Sequence, residues 1–168
     1  MTSSSLCAEF LEFAAIELRR SGGRPSLPTC EAASCRGLAH LQDLAEAVAE
    51  DAGLAAADLL RGFGSALFPA LVRRFPAFFV GIGSTAELVT RFDAHVGAEV
   101  AKLAPELRLP SLRVVGRKGR ALEIAYRSAD GLTDLAEGLL HGSVRHFTEP
   151  LLPCSRPSAR SVRPSADR

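Results

Sequence analysis

The stretch that decides the fold is residues 122–130, which read LEIAYRSAD. Its apolar first half predicts a β-strand, and the strand is expected to end where Asp130 precedes Gly131, because Asp before Gly favours a turn. Residues 112–115 (LRVV) predict a partner strand. The polar residues 116–120 (GRKGR) lie between the two strands and suit the turn of a hairpin.

Helical patterns fill the chain before this hairpin. Apolar residues recur at helical spacing over residues 7–19 and 37–52, and again from residue 56 onward. Pro69 interrupts the third pattern and predicts a kink or a break, because proline lacks the N–H that a helix interior needs. The apolar stripes predict the core, which comprises Phe10, Leu11, Ala14, Ala15, Leu18, Leu38, Leu41, Leu44, Ala45, Val48, Leu59, Leu60, Phe63, Leu67, Leu71 and Phe75.

A further helix is predicted from Ser84 to about Leu103, because Ser84 and Glu87 have the spacing of a capping box. Helical spacing returns over residues 132–147, after the hairpin. The expected fold class is therefore α+β: N-terminal helices, then a small antiparallel sheet, then a C-terminal helix that packs against the rest.

This order of patterns resembles the haem nitric oxide/oxygen-binding (H-NOX) family, the sensor domain that is also found in soluble guanylate cyclase. In that family a Tyr-x-Ser-x-Arg motif hydrogen-bonds the two haem propionates. Tyr126 and Ser128 fit the motif, but Asp130 stands at the arginine position. An arginine pairs with a carboxylate, whereas an aspartate repels it by roughly 4 kcal/mol at about 4 Å and an effective dielectric near 20. The resemblance covers about residues 8–150 and is weakest over 19–35.

The same resemblance implies a position for the iron ligand. In the family, the ligand histidine precedes a Pro-Ser-Phe-Arg-like segment by a fixed distance, and residues 110–113 (PSLR) match that segment. Counting back from it without gaps, and forward from the aromatic pair at 78–79, gives Gly97, which offers no ligand. His95 lies two residues earlier, about 200° away on a helix, so it is expected to point away from the iron.

The resemblance implies haem b as the cofactor, a stand-alone domain of bacterial type, and a signalling partner such as a histidine kinase or a cyclic-dinucleotide enzyme. Two functions stay open. The substitutions at Gly97 and Asp130 favour a haem-poor or haem-free regulatory domain; the alternative is a haem-based sensor of nitric oxide or oxygen with a non-standard axial ligand, for which His95 is a weak candidate. Interiors tolerate voids poorly, so a pocket without haem is expected to be filled. The residues expected to line or fill it are Phe63, Phe68, Phe78, Phe79, Leu88 and Phe92.

Composition argues against several classes of function. A net charge of +1 gives no global attraction to nucleic acid, and one Tyr with no Trp leaves little to stack on bases. No apolar run approaches the roughly 20 residues that cross a bilayer, and no secretory pattern opens the chain, so we expect a cytoplasmic protein that binds no membrane. One domain is expected over residues 1–150, followed by a disordered Ser/Pro/Arg-rich tail over 151–168.

Motifs of catalysis are missing from the sequence. It contains no nucleophile elbow, phosphate-binding loop or zinc-protease motif, so no enzyme is expected. A minor alternative is a redox protein based on Cys30 and Cys35, although reduced thiols are the ordinary interpretation in a chain of this size. His141 and His146 are expected on the solvated face of the last helix.

Overall fold

The computed structural model describes residues 3–20, 39–92, 94, 111–118, 121–127 and 132–149. Within these residues, five helices precede a two-stranded antiparallel sheet and one helix follows it, so the α+β order expected from the sequence is confirmed. The elements are α1 (Ser3–Arg20), α2 (Ala39–Ala52), α3 (Ala56–Arg74), α4 (Pro76–Phe79), α5 (Thr85–Arg91), β1 (Ser111–Lys118), β2 (Ala121–Arg127) and α6 (Thr133–His146).

The apolar faces of α1, α2 and α3 form most of the core, and Leu132 and Leu135 join it from the α6 side. Phe10 is fully buried and meets Phe63 edge to face, with ring centroids 5.3 Å apart. Helical spacing therefore predicted most of these burials correctly, although Leu11, Ala15 and Leu71 are only half-buried and Leu38 lies outside the described residues. Phe75 follows the last residue of α3 and is 42% exposed, so its predicted place in the core is wrong.

Helices α3 and α6 approach each other to backbone distance, and this contact is named the α3–α6 seam. A Cβ atom on Gly138 would stand 2.2 Å from the Arg61 carbonyl oxygen, and one on Gly64 would stand 2.4 Å from the Leu135 carbonyl oxygen. No side chain fits at such distances, so both positions require glycine. The buried positions of α6 are accordingly mostly small: Leu135, Ala136, Gly138, Gly142 and Ser143.

The predicted break at Pro69 is wrong, because α3 continues through it to Arg74. A proline cannot donate a hydrogen bond to the carbonyl four residues earlier, which belongs to Ser65. That oxygen faces α6, only 2.9 Å from where a Cβ atom on Gly142 would stand. The missing side chain on Gly142 therefore leaves room for a carbonyl that Pro69 cannot satisfy.

Strands β1 and β2 form the predicted hairpin, with Ser111 opposite Arg127 and Lys118 opposite Ala121. The predicted turn over residues 116–120 is too long, because its first three residues pair within β1 and only two residues separate the strands. The register shifts at a β-bulge between Val114 and Gly116, which increases the local twist of the hairpin.

Candidate functional site

Tyr126 lies near the end of β2, opposite Leu112, and its side chain is half-buried. Its hydroxyl donates a hydrogen bond to the carbonyl oxygen of Leu132, at 3.4 Å. Leu132 is itself buried and immediately precedes α6, so this bond ties the hairpin to the last helix. Ser128 and Asp130, the other two motif positions, lie outside the described residues.

The helix that was expected to lead towards Gly97 begins as predicted. Ser84 accepts a hydrogen bond from the Glu87 N–H at 3.2 Å, and the Glu87 carboxylate accepts one from the Gly83 N–H at 2.7 Å. This is a capping box with its return bond moved one residue outward. The α-helical turns give way to wider π-type turns at Phe92 and Ala94, a feature that often accompanies functional sites.

The two candidate ligand positions, Gly97 and His95, lie outside the described residues. The expected continuation of the helix to about Leu103 lies there too. The expected filling of a pocket beneath Gly97 therefore stays a prediction.

The six residues expected to line or fill the pocket fall into different surroundings. Phe63 packs in the core between α1 and α3, beside Phe10 and Phe13. Phe68, five residues further along α3, lies in a second aromatic cluster, with Phe79 at a centroid distance of 5.7 Å. Leu88 and Phe92 are half-buried, and Phe78 joins the second cluster through Phe79 at 5.1 Å.

Two rings at the end of α6 also pack in the second cluster. His146 lies 5.8 Å from Phe68 and 5.1 Å from Phe147, measured between ring centroids. His146 is exposed, as expected for the outer face of the last helix, whereas His141 is half-buried. The ring of His146 is thus an edge of the aromatic cluster, a role that the sequence pattern did not indicate.

A buried polar contact joins α5 to α6, and it is named the α5–α6 link. The hydroxyls of Thr85 and Ser143 lie 3.1 Å apart, and both residues are almost completely buried. Ser143 also donates to the Leu140 carbonyl at 2.8 Å, which leaves Thr85 as the donor between the two hydroxyls. The Glu149 carboxylate completes the link by accepting the Thr85 backbone N–H at 3.2 Å.

The chain reverses after α6 in a Schellman motif that directs Glu149 towards α5. The Thr148 N–H bonds the Arg145 carbonyl at 3.2 Å, and the Glu149 N–H bonds the Val144 carbonyl at 2.9 Å. Thr148 has a φ of 55°, a left-handed conformation that glycine adopts at this position in most such motifs. A β-branched residue is strained there, so the position of Glu149 is held at some cost in stability.

Sequence reasoning missed both the seam and the link. The available signal was Gly138 and Gly142, four residues apart and followed by Ser143, on a face otherwise defined by leucines. Small residues at that spacing allow a close helix contact, and a single hydroxyl beside them needs a buried partner. The partner, Thr85, lies 58 residues away and could not be found by local spacing.

Two other kinds of site find little support in the described part of the chain. It contains no group of three or more His, Cys, Asp or Glu residues placed to hold a metal ion. Cys7 is buried, which raises the pKa of its thiol and keeps it protonated and unreactive. Cys30 and Cys35, on which the redox alternative depends, lie outside the described residues.

Over the same described ranges, no single helix is long and apolar enough to cross a membrane. Residues 40–52 and 56–74 meet that test only as a pair, and they are bent by 118° with respect to each other.

A sequence profile described as haem-NO-binding matches residues 39–152, which is more than half of the chain. The chain belongs to this family. The match begins at α2 and runs past the end of α6, so it includes the seam, the link and the Tyr126 strand. No curated protein matches the chain.

Solved structures of H-NOX proteins share this fold. The Fe(II) unliganded protein from K. algicida is 18% identical, with a TM-score of 0.64 over 86% of this chain and 83% of its own. The protein from S. oneidensis in the Fe(II)NO state is 24% identical, with a TM-score of 0.64 over 88% and 86%. An NMR structure of a histidine-to-glycine mutant of an S. oneidensis H-NOX domain, in the Fe(II)CO state, is 22% identical, with a TM-score of 0.61 over 83% of each chain.

Haem is the group that the family description implies, and of the positions that the resemblance assigns to it the structure describes only Tyr126. A tyrosine hydroxyl has one proton, and that of Tyr126 is donated to the Leu132 carbonyl. The described histidines are His40 on α2 and His141 and His146 on α6, so none of them lies on α5. Ser128, Asp130, His95 and Gly97 lie outside the described residues, so the fit of haem at those positions rests on the sequence alone.

Proposed function

We propose that this H-NOX domain is a haem-poor or haem-free regulatory domain that acts through a signalling partner, such as a histidine kinase or a cyclic-dinucleotide enzyme. The observation that carries the proposal is the hydrogen bond from Tyr126 to Leu132. The hydroxyl that would hold a propionate in the family motif instead ties β2 to the start of α6. The protein thereby satisfies this polar group without a cofactor.

The sequence at the other two positions supports the same proposal. Gly97 stands where the resemblance expects the iron ligand, and Asp130 stands where it expects the propionate-binding arginine. An aspartate repels a propionate, while a glycine in a helix costs about 1 kcal/mol relative to alanine and supplies no ligand atom. Each change is expected to weaken haem binding at a different part of the cofactor: Gly97 at the iron and Asp130 at the propionates.

A haem-based sensor of nitric oxide or oxygen with a non-standard axial ligand is the second candidate, and one comparison favours it. The S. oneidensis mutant in which a histidine is replaced by glycine was solved in the Fe(II)CO state. An H-NOX domain can therefore hold ligated iron after losing a histidine. For this chain, the candidate requires haem b to bind with a ligand other than residue 97, and His95 is the nearest histidine in sequence.

An absorption titration tests the proposal. The purified protein is expected to lack an intense Soret band and to gain at most a weak, non-stoichiometric band with haemin. A stoichiometric band that survives gel filtration would overturn the proposal and support the sensor candidate. Repeating the titration with imidazole present separates the two defects, because imidazole can replace a missing histidine but cannot replace the Asp130 charge.

Variants sharpen the titration. Gly97→His is expected to strengthen haem binding by supplying an axial ligand, and Asp130→Arg is expected to add to it by pairing with a propionate. His95→Ala is the matched control and should leave the spectrum unchanged. Loss of the spectrum on His95→Ala would instead identify His95 as the ligand and would show that the ungapped count to Gly97 is wrong.

A further inference from the structure

The end of α3 and all of α4 present an exposed ridge. Residues 73–81 read RRFPAFFVG, and seven of these nine are exposed. Val80 is 71% exposed and Phe75 is 42% exposed, which places both among the most exposed large apolar residues of the described chain. The exposed residues Arg73, Arg74, Phe75, Pro76, Ala77 and Val80 are named the α4 ridge.

The ridge is fixed in position. The Phe78 N–H bonds the Phe75 carbonyl at 3.0 Å, and Arg91 donates to the carbonyls of Phe78 and Val80, at 3.3 and 2.6 Å. From below, Phe79 packs edge to face on the buried Phe68. An apolar surface that is held in place beside charged residues can serve as a contact site. Its rigidity lowers the entropy cost of binding.

Positive charge surrounds the ridge. Arg73 and Arg74 are its first two residues, and the Arg91 guanidinium lies beneath it, bonded to the carbonyls of Phe78 and Val80. Among the described residues, the salt bridge shown at these arginines joins Arg74 to Glu9 at 4.0 Å. The stretch from Arg73 to Gly81 itself carries two arginines and no carboxylate, so its charge is complementary to an acidic ligand.

We propose that the α4 ridge docks an acidic, amphipathic segment of the partner protein. Apolar side chains of that segment would cover Phe75 and Val80, and its carboxylates would face Arg73 and Arg74. This inference rests on the proposed action through a signalling partner, and it adds where that partner binds and what chemistry it presents.

Charge argues against two other occupants from this chain. A second copy packed about a two-fold axis would offer the same surface on both sides, and residues 73–81 contain no carboxylate to face Arg73 and Arg74. Residues 151–168 contain four arginines and one aspartate, a net charge of +3 that the ridge repels.

An anionic membrane fits the ridge less well. Stable adsorption needs a longer basic cluster or side chains that penetrate the interface. Here Phe78 and Phe79 stack on each other, and Phe79 turns inward onto Phe68, so only Phe75 and Val80 remain as large exposed apolar groups.

Selection from a phage-displayed library of random 16-residue peptides, with the full chain as bait, tests the inference. Enriched peptides are expected to combine carboxylates with apolar residues at helical spacing. One enriched peptide, made synthetically, is then titrated by fluorescence anisotropy against the protein and its variants. Val80→Asp is expected to raise the Kd at least about fivefold, and Arg73→Glu is expected to raise it less and mainly at low salt.

The matched control is Val115→Asp, because Val115 is also an exposed valine, at 54%, but lies on the hairpin bulge. It should leave the Kd unchanged. Circular dichroism checks that all three variants fold. We expect them to fold, because the three substituted side chains are exposed.

Several outcomes would overturn the inference: no enrichment, enrichment without acidic residues, or equal binding by the native chain and Val80→Asp. Vesicles of phosphatidylglycerol and phosphatidylcholine form a second arm, and binding that Val80→Asp abolishes would assign the ridge to a membrane. Sedimentation forms a third arm, in which a dimer dissolved by Val80→Asp would assign it to self-association. A peptide that binds elsewhere would keep the partner role but remove it from the ridge, and haem titration tests the haem-poor proposal separately.

Discussion

The α3–α6 seam and the α5–α6 link are both contacts of α6, and they are held in opposite ways. At the seam, two backbones touch because Gly138 and Gly64 carry no side chain. At the link, side chains and a helix terminus meet through hydrogen bonds among Thr85, Ser143 and Glu149. Dispersion between close-packed backbones is lost steeply with distance, whereas a few hydrogen bonds can be exchanged for water at a small net cost.

This difference separates a fixed part of the domain from an adjustable one. The seam permits almost no displacement, because any added volume meets backbone atoms on the other helix. The link holds α5, the helix that the resemblance associates with position 97, through two hydrogen bonds of Thr85, one between its hydroxyl and Ser143 and one from its backbone N–H to Glu149. A partner or ligand that acts on this H-NOX domain is therefore expected to move α5 relative to a rigid pair of α3 and α6.

Breaking the seam should have the largest effect. Gly138→Ala places a methyl group 2.2 Å from the Arg61 carbonyl oxygen, so the helices must separate along the contact. We expect a loss of about 3 kcal/mol in the free energy of unfolding, at the upper end of overpacking costs. Urea denaturation followed by circular dichroism measures it.

Gly62→Ala is the matched control for that prediction. Gly62 is likewise a glycine inside a helix, in this case α3, but the nearest atom to its Cβ position is the tip of the Phe13 ring, at 3.0 Å, which can shift. Alanine favours a helix over glycine by about 1 kcal/mol, so this variant should be neutral or stabilised. Equal destabilisation by both substitutions would contradict the interpretation of the seam.

Breaking the link should cost less, and unequally for its two hydroxyls. Ser143→Ala leaves the buried Thr85 hydroxyl without its acceptor, so we expect a loss of about 2 kcal/mol. Thr85→Val removes the donor but leaves Ser143 bonded to Leu140, so we expect a loss of about 1 kcal/mol. The double variant should lose less than the two losses together, because the same hydrogen bond is removed twice. Additive losses would mean that the two hydroxyls act independently.

The sequence predicted the start of α5, but neither the link nor the seam. Ser84 and Glu87 predicted the start of α5, because the two residues of a capping box are only three positions apart in the sequence. The fold class and the hairpin were likewise local patterns. The seam depends on Gly138 meeting Arg61 across 77 positions, and spacing along one helix carries no information about which backbone lies opposite.

The same limit explains two wrong predictions about α3. Pro69 was expected to kink or break the helix; the break is absent, and the space beside Gly142 accommodates the Ser65 carbonyl, to which the proline cannot donate. Phe75 continued the apolar stripe in sequence, yet α3 ends before it and the ring lies outside. At the candidate site, Tyr126 was singled out from its motif, but its bond to Leu132 depended on how the hairpin packs on α6.

Relieving the strain beside the link should have a smaller effect, with the opposite sign. Thr148 has a φ of 55° at the position of a Schellman motif that favours glycine. Thr148→Gly is therefore expected to stabilise the protein by about 1 kcal/mol through relief of the strain. Glycine also raises the conformational entropy of the unfolded chain, which reduces this gain. Thermal denaturation should show a higher Tm. A lower Tm would indicate that threonine makes a contact worth more than the strain.

The smallest effect is expected where the seam reaches solvent. Arg61 lies beside three carboxylates there, with Asp58 on its own helix and Asp134 and Glu137 on α6. The Asp58 side chain is 71% exposed, and pairs of this kind contribute little because water and salt screen them. Asp58→Asn should change the free energy of unfolding by less than about 0.5 kcal/mol, and 0.5 M NaCl should remove even that difference. A loss comparable to that of Gly138→Ala would mean that charge, and not the absence of side chains, holds α3 against α6.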